Sequence, residues 1–261
     1  MLAELWRYRG FVFGMVRREF DLRYRRSLLG SLWAVASPLG TVVIFTVIFS
    51  RIMHDRLPSD GDATTYGLFV CAGVVTWGLF ADVVTRSVEI FIEHANLLKK
   101  INFPRLTLPV IVLLSTAINF GIVFGLIVAF LALSGRFPGW PILAFVPLLL
   151  VQQALALGLG VTCAVVNVFV RDVGHAVTLV LQLWFWCTPI VYPLHILSAP
   201  WQRLVKLNPL TELVIGYQQI VIHHAWPDWS PLVLPGIVAA LALGGGVSVL
   251  RRLSATMVDY L

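Results

Sequence analysis

The chain has 261 residues, of which 59% are hydrophobic and 12% are charged, and its mean hydropathy is +0.88. Soluble domains carry about 25% charged residues, so this composition excludes an ordinary soluble enzyme. The three cysteines, Cys71, Cys163 and Cys187, are odd in number and lie inside apolar stretches. They are therefore expected to be small buried residues, without a disulfide framework or a metal-ligand spacing.

Charged residues leave six long windows without charge, at 27–50, 63–81, 106–135, 137–170, 173–202 and 229–250. Each window is long enough for one helix across the ~30 Å hydrocarbon core, and none comfortably holds two. We therefore predict an all-α polytopic membrane protein with six transmembrane helices. The predicted spans are about 29–52, 64–84, 107–134, 142–169, 174–196 and 230–250.

The distribution of Lys and Arg predicts the orientation of the chain. Six spans put both termini on one side of the membrane, and that side carries 14 Lys and Arg residues, whereas the other side carries five. Since positively charged loops stay in the cytoplasm, both termini are expected to be cytoplasmic. The same distribution explains the net charge of +6 without nucleic acid, because the basic residues lie between apolar windows instead of on one soluble face.

The segment before the first span, residues 1–26, is predicted to be a cytoplasmic amphipathic interface helix. Apolar residues recur at helical spacing from Phe13 to Tyr24, while Arg18 and Arg25 lie on a neighbouring arc. The alternative is a solvated basic arm that only sets the topology. The remaining residues, 27–261, form the predicted six-span domain.

A second amphipathic helix is predicted between spans two and three, at 86–103. Apolar residues from Val88 to Leu98 share one face, with Glu89 and Glu93 off it. Such a helix suits contact with a soluble partner, although a helix resting on lipid headgroups has the same pattern. Pro104 fits the first turn of the third span.

The end of the fifth span contains Pro189 and Pro193, which predict a kink or an end near residue 189. The following segment, 196–222, is apolar in part but too short to span. It is predicted to form short re-entrant or interfacial helices, which membranes tolerate only where protein or a water-filled cavity covers the backbone. The alternative is an ordinary interfacial belt that holds Trp201, Trp226 and Trp229 at headgroup level.

Small residues four apart predict close helix packing in two spans. They are Gly121 and Gly125 in span three, and Ala154, Gly158 and Thr162 in span four.

Missing motifs narrow the function. The six windows hold no charged residue, although an ion-coupled carrier usually keeps one near mid-membrane. The sequence has neither a Gly-x-Ser-x-Gly elbow nor a His-Glu-x-x-His zinc motif, so we expect no catalytic residue and no metal site. No glycine is followed by lysine, which excludes a P-loop, and any ATP-driven work must come from a partner.

Five fragments in order resemble the membrane subunit of a type-2 ATP-binding-cassette exporter, and within that group the bacterial polysaccharide-export permeases for O-antigen, teichoic acid or capsule. The fragments are RYRRSLLGSLW at 23–33 followed by Pro38, NLLKKINFPR at 96–105, RDV at 171–173, TPIVY at 188–192 and NPLT at 208–211. They extend over nearly the whole chain.

The resemblance implies a homodimer in the bacterial inner membrane, resting on two cytoplasmic ATPase subunits that bind ATP and Mg. The implied cargo is a polysaccharide, often on a polyprenyl lipid, and capsule systems add periplasmic export proteins. In this family the N-terminal helix and the helix after span two face the ATPase. The residues expected at that coupling interface are Arg17, Arg18, Glu89, Glu93, His94, Asn96, Lys99 and Lys100.

Aromatic side chains supply weak contacts along which a polymer can slide, so Trp184, Trp186 and Tyr192 are expected near the translocation pathway. The expected helix breaks or gates are Pro189, Pro193, Asn208 and Pro209. Uncharged spans also suit a lipid or drug exporter of the same architecture. A channel or membrane scaffold without an ATPase partner is the remaining alternative.

Overall fold

The computed structural model describes residues 8–24, 63–100, 103–254 and 256–260, together with residues 32, 36 and 40. Within these ranges the chain is all helical and has no strand. The helices are α1 (Arg9–Tyr24), α2 (Ala63–Glu93), α3 (Ala95–Lys100), α4 (Thr107–Leu133), α5 (Phe145–Phe169), α6 (Asp172–Trp186), α7 (Ala199–Lys206), α8 (Pro209–His223), α9 (Val233–Leu253) and α10 (Met257–Tyr260), with short 3-10 turns at Trp140–Ala144 and Leu194–Ile196.

Four helical segments in the described part are long and apolar enough to cross a membrane. They are Thr65–Glu93, Thr107–Leu133, Trp140–Phe169 and Val233–Leu253. These segments overlap the predicted second, third, fourth and sixth spans. The predicted first span, 29–52, lies outside the described residues except at positions 32, 36 and 40.

The fifth predicted span, 174–196, is not one continuous helix, which agrees with the kink or end expected near residue 189. α6 ends at Trp186 after 15 residues, which is about 22 Å of helix against a hydrocarbon core of ~30 Å. Pro189 explains this end, because proline has no N–H to donate and its ring clashes with the carbonyl four residues earlier. Residues 187–193 continue without regular helix.

The boundary between the second span, 64–84, and a separate helix at 86–103 is corrected by the structure. α2 continues without a break to Glu93, and only six residues after His94 form a separate helix, α3. No Gly or Pro occurs between Gly78 and His94, so nothing in this stretch interrupts helical hydrogen bonding. Residues 101–102 lie outside the described part of the chain.

The predicted segment 196–222 contains two short helices, α7 and α8. α8 begins at Pro209 after the N-cap Asn208, and its apolar face, including Leu213 and Tyr217, is buried in the main core. α7 buries none of its residues. The tryptophans that the alternative places at headgroup level, Trp201, Trp226 and Trp229, are exposed.

α5 is the central helix of the bundle, because it packs along both α9 and α2. Its backbone comes close to α9 at Gly158, where a Cβ atom would lie 2.3 Å from the carbonyl carbon of Ala242. Gly246 on α9 is equally confined, since its Cβ would lie 2.6 Å from the Gly158 carbonyl oxygen. This confirms close packing at Gly158. At Gly121 and Gly125, by contrast, a Cβ would have no described neighbour within 4 Å.

α1 buries one face against the bundle, and that face includes Val16 of the predicted apolar set but not Phe13. Val12 and Val16, four residues apart, are buried against α4 and its neighbours, whereas Phe13 is 66% exposed. One residue advances a helix by about 100°, so Phe13 lies off the face that Val12 and Val16 share. The side chains of Phe20 and Tyr24 lie outside the described part.

Candidate functional site

The predicted coupling residues lie on α1, at the end of α2 and on α3. Most of them are exposed, so their charges are available to a partner. His94 is half-buried, and its Nδ1 atom lies 3.1 Å from the Ile90 carbonyl oxygen. The exposed members are Arg17, Arg18, Glu89, Glu93, Asn96, Lys99 and Lys100.

An ion pair joins α1 to α2 near this surface. The Glu19 carboxylate of α1 pairs with the guanidinium of Arg86 on α2. The same guanidinium donates a hydrogen bond of 3.1 Å from Nη1 to Ser115 Oγ on α4. One arginine therefore connects three helices, and it links the N-terminal helix to the helix that carries Glu89 and Glu93.

Asn167 on α5 holds α2 and α6 in place near the coupling surface. Its Nδ2 atom donates to the Val88 carbonyl of α2 at 3.0 Å, and its Oδ1 atom accepts from the Gly174 amide of α6 at 3.1 Å. An amide buried in an apolar bundle needs partners for both its ends. Asn167 therefore joins α2, α5 and the start of α6, and it has a structural role.

The predicted pathway residue Trp184 belongs to an aromatic cluster between α2 and α6. Its ring meets Trp77 and Phe80 edge-on, with centroid distances of 6.3 and 5.6 Å. Its indole Nε1 donates a 2.9 Å hydrogen bond to Asn208 Oδ1. Edge-to-face contacts and a satisfied indole N–H fix the orientation of a half-buried tryptophan.

Trp186 has different surroundings from Trp184. It is 56% exposed and lines a groove of about 330 Å³ between α2 and α6. Trp77, Gln182 and Phe185 line the same groove, and none of its described lining residues is charged. The exposed surface of α6 continues from this groove along Leu179 and Leu183. The groove can thus offer aromatic faces and one amide to a passing molecule.

The chain leaves α6 through a buried irregular segment around Pro189. Two side chains from other helices satisfy its carbonyls: Gln218 Nε2 donates to Pro189 at 3.1 Å, and the Tyr66 hydroxyl donates to Val191 at 2.8 Å. Ile190 packs so closely on α2 that a Cβ at Gly73 would lie 2.9 Å from its Cγ2 atom. Protein therefore covers this non-helical backbone, as a membrane requires.

Asn208 connects this segment to α8. Its Oδ1 atom accepts from the Leu210 amide at 3.0 Å, which caps α8, and from the Trp184 indole. Its Nδ2 atom donates to Thr188 Oγ1 at 2.9 Å. The N-cap asparagine followed by proline at the first helical position is a common helix start.

Tyr192 and Pro193 lie in the segment between α6 and α7. The Tyr192 hydroxyl donates a 3.0 Å hydrogen bond to the Trp186 carbonyl, so the hydroxyl is engaged within the chain. Pro193 is half-buried and precedes the short turn Leu194–Ile196.

Comparison with known proteins identifies the family. The family model described as ABC-2 type transporter matches residues 11–222. The chain belongs to this family.

Named relatives cover most of the chain. An O-antigen export system permease protein RfbA from Myxococcus xanthus is 30% identical over 95% of this chain and 94% of its own length. A protein of the same name from Klebsiella pneumoniae is 28% identical over 97% of this chain and 96% of its own length. The polysialic acid transport protein KpsM of Escherichia coli is 25% identical over 76% of this chain and 75% of its own length.

In this ABC-2 type transporter the structure brings some predicted residues together and separates others. Trp184 contacts Asn208 directly, and Tyr192 binds the backbone of Trp186. Sequence reasoning did not predict the roles of Glu19 and Arg86, because no local pattern indicates which of several charges pair across helices. The capping role of Asn208 could have been found, since Asn-Pro before an apolar helical run is a sequence signal for a helix start.

Proposed function

We propose that this chain is the permease subunit of an exporter that moves polysaccharide, carried on a polyprenyl lipid, across the bacterial inner membrane. The observation that carries the proposal is near-full-length similarity to proteins named as O-antigen export permeases. The relative named for polysialic acid transport supports the same class of cargo. The uncharged groove beside Trp186 suits a hydrated polymer, because no fixed charge would retain each sugar unit.

The translocation pathway in this proposal lies between two copies of the chain, with α6 of each copy facing the pore. The exposure of Leu179, Leu183 and Trp186 supports a role for this surface in contacts beyond the single chain. Trp186 and Gln182 would contact the sugars. Trp184, Pro189 and Asn208 would hold the end of α6 and its link to α8.

Energy comes, in this proposal, from two cytoplasmic ATPase subunits that bind ATP and Mg. They would contact α1 and the surface where α2 ends, with both termini in the cytoplasm. The ion pair between Glu19 and Arg86 supports this arrangement, because it would transmit movement of α1 directly to α2.

Copurification tests the partnership. The tagged chain, expressed from its native host and purified in mild detergent, should bring a P-loop ATPase with it, and the complex should hydrolyse ATP only with Mg. The chain alone should not hydrolyse ATP. Absence of an ATPase in several detergents would favour a partner-free channel or scaffold.

A charge reversal tests the coupling surface. Glu93→Lys should reduce polysaccharide export, because it reverses a charge on the surface where the ATPase is proposed to bind. The protein level should stay unchanged, since Glu93 is exposed and its replacement leaves the core intact. The matched control is Arg203→Glu, an exposed charge reversal on α7, near the opposite end of α2. Equal export by wild type and Glu93→Lys would remove the coupling role of this residue.

The lipid or drug exporter is distinguished by phenotype. A deletion strain that becomes sensitive to drugs while it keeps intact surface polysaccharide would favour that function over polysaccharide export.

A further inference from the structure

A second cleft lies near the start of α2, at the opposite end from Glu93. Its volume is about 870 Å³, within the ~300–1,000 Å³ that is usual for small-molecule sites. Five parts of the chain form it: the start of α2, the segment after Pro193, α7, α8 and the connection to α9. It shares no described lining residue with the groove beside Trp186.

α8 turns an apolar face to the core and a face of mixed polarity to this cleft, where Ile215 and Ile222 lie beside the polar residues. Leu213, Tyr217 and Ile220 are buried in the core, whereas Glu212, Gln219 and His223 line the cleft. Residues 212, 219 and 223 lie seven and four positions apart, so they share one face of the helix. If this face of α8 were only solvated, no other part of the chain would need to lie beside it. Here four other parts of the chain border this face.

Three glutamine side chains line the cleft, and two of them are held by hydrogen bonds to backbone carbonyls. Gln202 donates from Nε2 to the Leu197 carbonyl at 2.8 Å, and Gln218 donates from Nε2 to the Pro189 carbonyl. Gln219 makes no hydrogen bond to any residue in the described ranges. Its amide can therefore both donate to and accept from a bound molecule.

An aromatic pair completes the wall at the start of α2. The rings of Tyr66 and Phe69 stack with a centroid distance of 6.1 Å and an angle of 18°. Because the Tyr66 hydroxyl is engaged with Val191, the ring is fixed and Phe69 is held beside it. An aromatic ring offers a flat apolar contact to the C–H groups of a sugar, and the amide matches its hydroxyl groups.

The charges of the cleft disfavour an anionic ligand. Two carboxylates, Glu212 and Asp228, line the cleft with one ammonium group, Lys206, and two imidazoles, His195 and His223. Burial raises the pKa of the Glu212 carboxyl; Asp228 adds to the increase, and Lys206 opposes it. A phosphate or a sialic acid would meet more carboxylates than ammonium groups, whereas an uncharged polyol would find both donors and acceptors.

We propose that this cleft binds a neutral glycosyl segment of the exported polymer, with Gln219 and Glu212 hydrogen-bonded to its hydroxyl groups beside Phe69. The inference rests on the proposed export function and adds a carbohydrate site apart from the pathway between the two copies. The site would hold a few sugar units near the end of the membrane segments opposite the coupling surface.

Ligand-observed NMR tests the site with the full chain in lipid nanodiscs. The probes are oligosaccharides released by mild acid from the host's own surface polysaccharide, neutral maltotriose and an anionic sialic acid trimer. The neutral host fragments should bind saturably, and Gln219→Ala should weaken them about tenfold, as expected when a hydrogen-bonding group is lost. The double variant Glu212→Ala and Gln219→Ala, which removes both proposed hydrogen-bonding side chains, should abolish binding. Arg203→Gln, on α7 but outside the cleft lining, is the matched control and should bind as wild type does.

Export by the same variants separates this inference from the proposed function. If wild type restores export in a deletion strain but neutral host fragments do not bind, or if the double variant Glu212→Ala and Gln219→Ala binds them as well as wild type, the carbohydrate site is wrong and the export function stands. A sialic acid trimer that binds as tightly as the neutral fragments would overturn the preference for uncharged sugars. If wild type restores no export, the proposed function itself fails.

Discussion

Trp184 and Trp186 lie two positions apart in the sequence and have different surroundings in the structure. Trp184 is held by the Asn208 side chain and by the edges of Trp77 and Phe80, whereas Trp186 is more than half exposed beside an uncharged groove. Their aromatic character predicted one role, near the translocation pathway, for both. Both residues lie in α6, and two positions along a helix turn a side chain by about 200°, so one ring enters the cluster and the other lies at the surface.

This difference predicts separate effects of two substitutions. Trp184→Ala should lower the thermal midpoint of the protein in detergent, because removing a packed tryptophan costs roughly 3–5 kcal/mol. Trp186→Ala should leave the midpoint nearly unchanged and reduce export. Thermal unfolding and surface polysaccharide, measured at equal protein levels, check both. Equal loss of stability in the two variants, or full export by Trp186→Ala, would contradict these roles.

At the scale of elements, the sequence predicts spans best where long apolar runs lack charge. α4 and α9 begin and end close to their predicted bounds for this reason. The end of α2 was misplaced because a charge such as Arg86 limits a lipid-facing stretch but does not stop a helix. The end of α6 follows from Pro189. The carbonyls of Pro189 and Val191 in the buried segment after it are paired by Gln218 and Tyr66, distant residues that no local pattern identifies.

The crossing of α5 and α9 predicts opposite effects of two glycine substitutions. Gly158→Ala should destabilise the protein, because forcing a methyl group into a closed contact costs about 1–3 kcal/mol, more than the ~1 kcal/mol that alanine gains over glycine in a helix. Gly121→Ala is the matched control and should be neutral or stabilising, since no described residue lies within 4 Å of its Cβ. Thermal midpoints in detergent measure both. Equal midpoints would show that the two helices can separate to admit the methyl group.

The Glu19–Arg86 ion pair predicts an effect on coupling that exceeds its effect on stability. A partly exposed pair stabilises a protein by only about 0–1 kcal/mol, so Glu19→Gln should change the thermal midpoint little. If the pair transmits movement from α1 to α2, Glu19→Gln and Arg86→Gln should each reduce export per ATP hydrolysed. The double variant should be no worse than Arg86→Gln, as expected for two residues that act as one unit. Additive losses would mean that the two residues act independently.

For the whole molecule, composition and charge alone predicted a polytopic helical membrane protein, and the ordered fragments predicted its family. The sequence did not predict which buried side chains contact one another in the interior. Gln152, for example, donates to the Thr76 carbonyl at 2.7 Å and accepts a 2.7 Å hydrogen bond from Tyr217, which ties α2, α5 and α8 together. An isolated in-span glutamine does not reveal whether it binds cargo or another helix, because its partners come from distant parts of the chain.

Export in the living cell tests the central claim most directly. Deletion of this chain from its host should remove the surface polysaccharide and accumulate lipid-linked polymer in the cytoplasm, and the wild-type chain should restore export. Restoration should require an ATPase partner able to hydrolyse ATP. Unchanged surface polysaccharide in the deletion strain, with no polymer accumulated inside, would contradict the account.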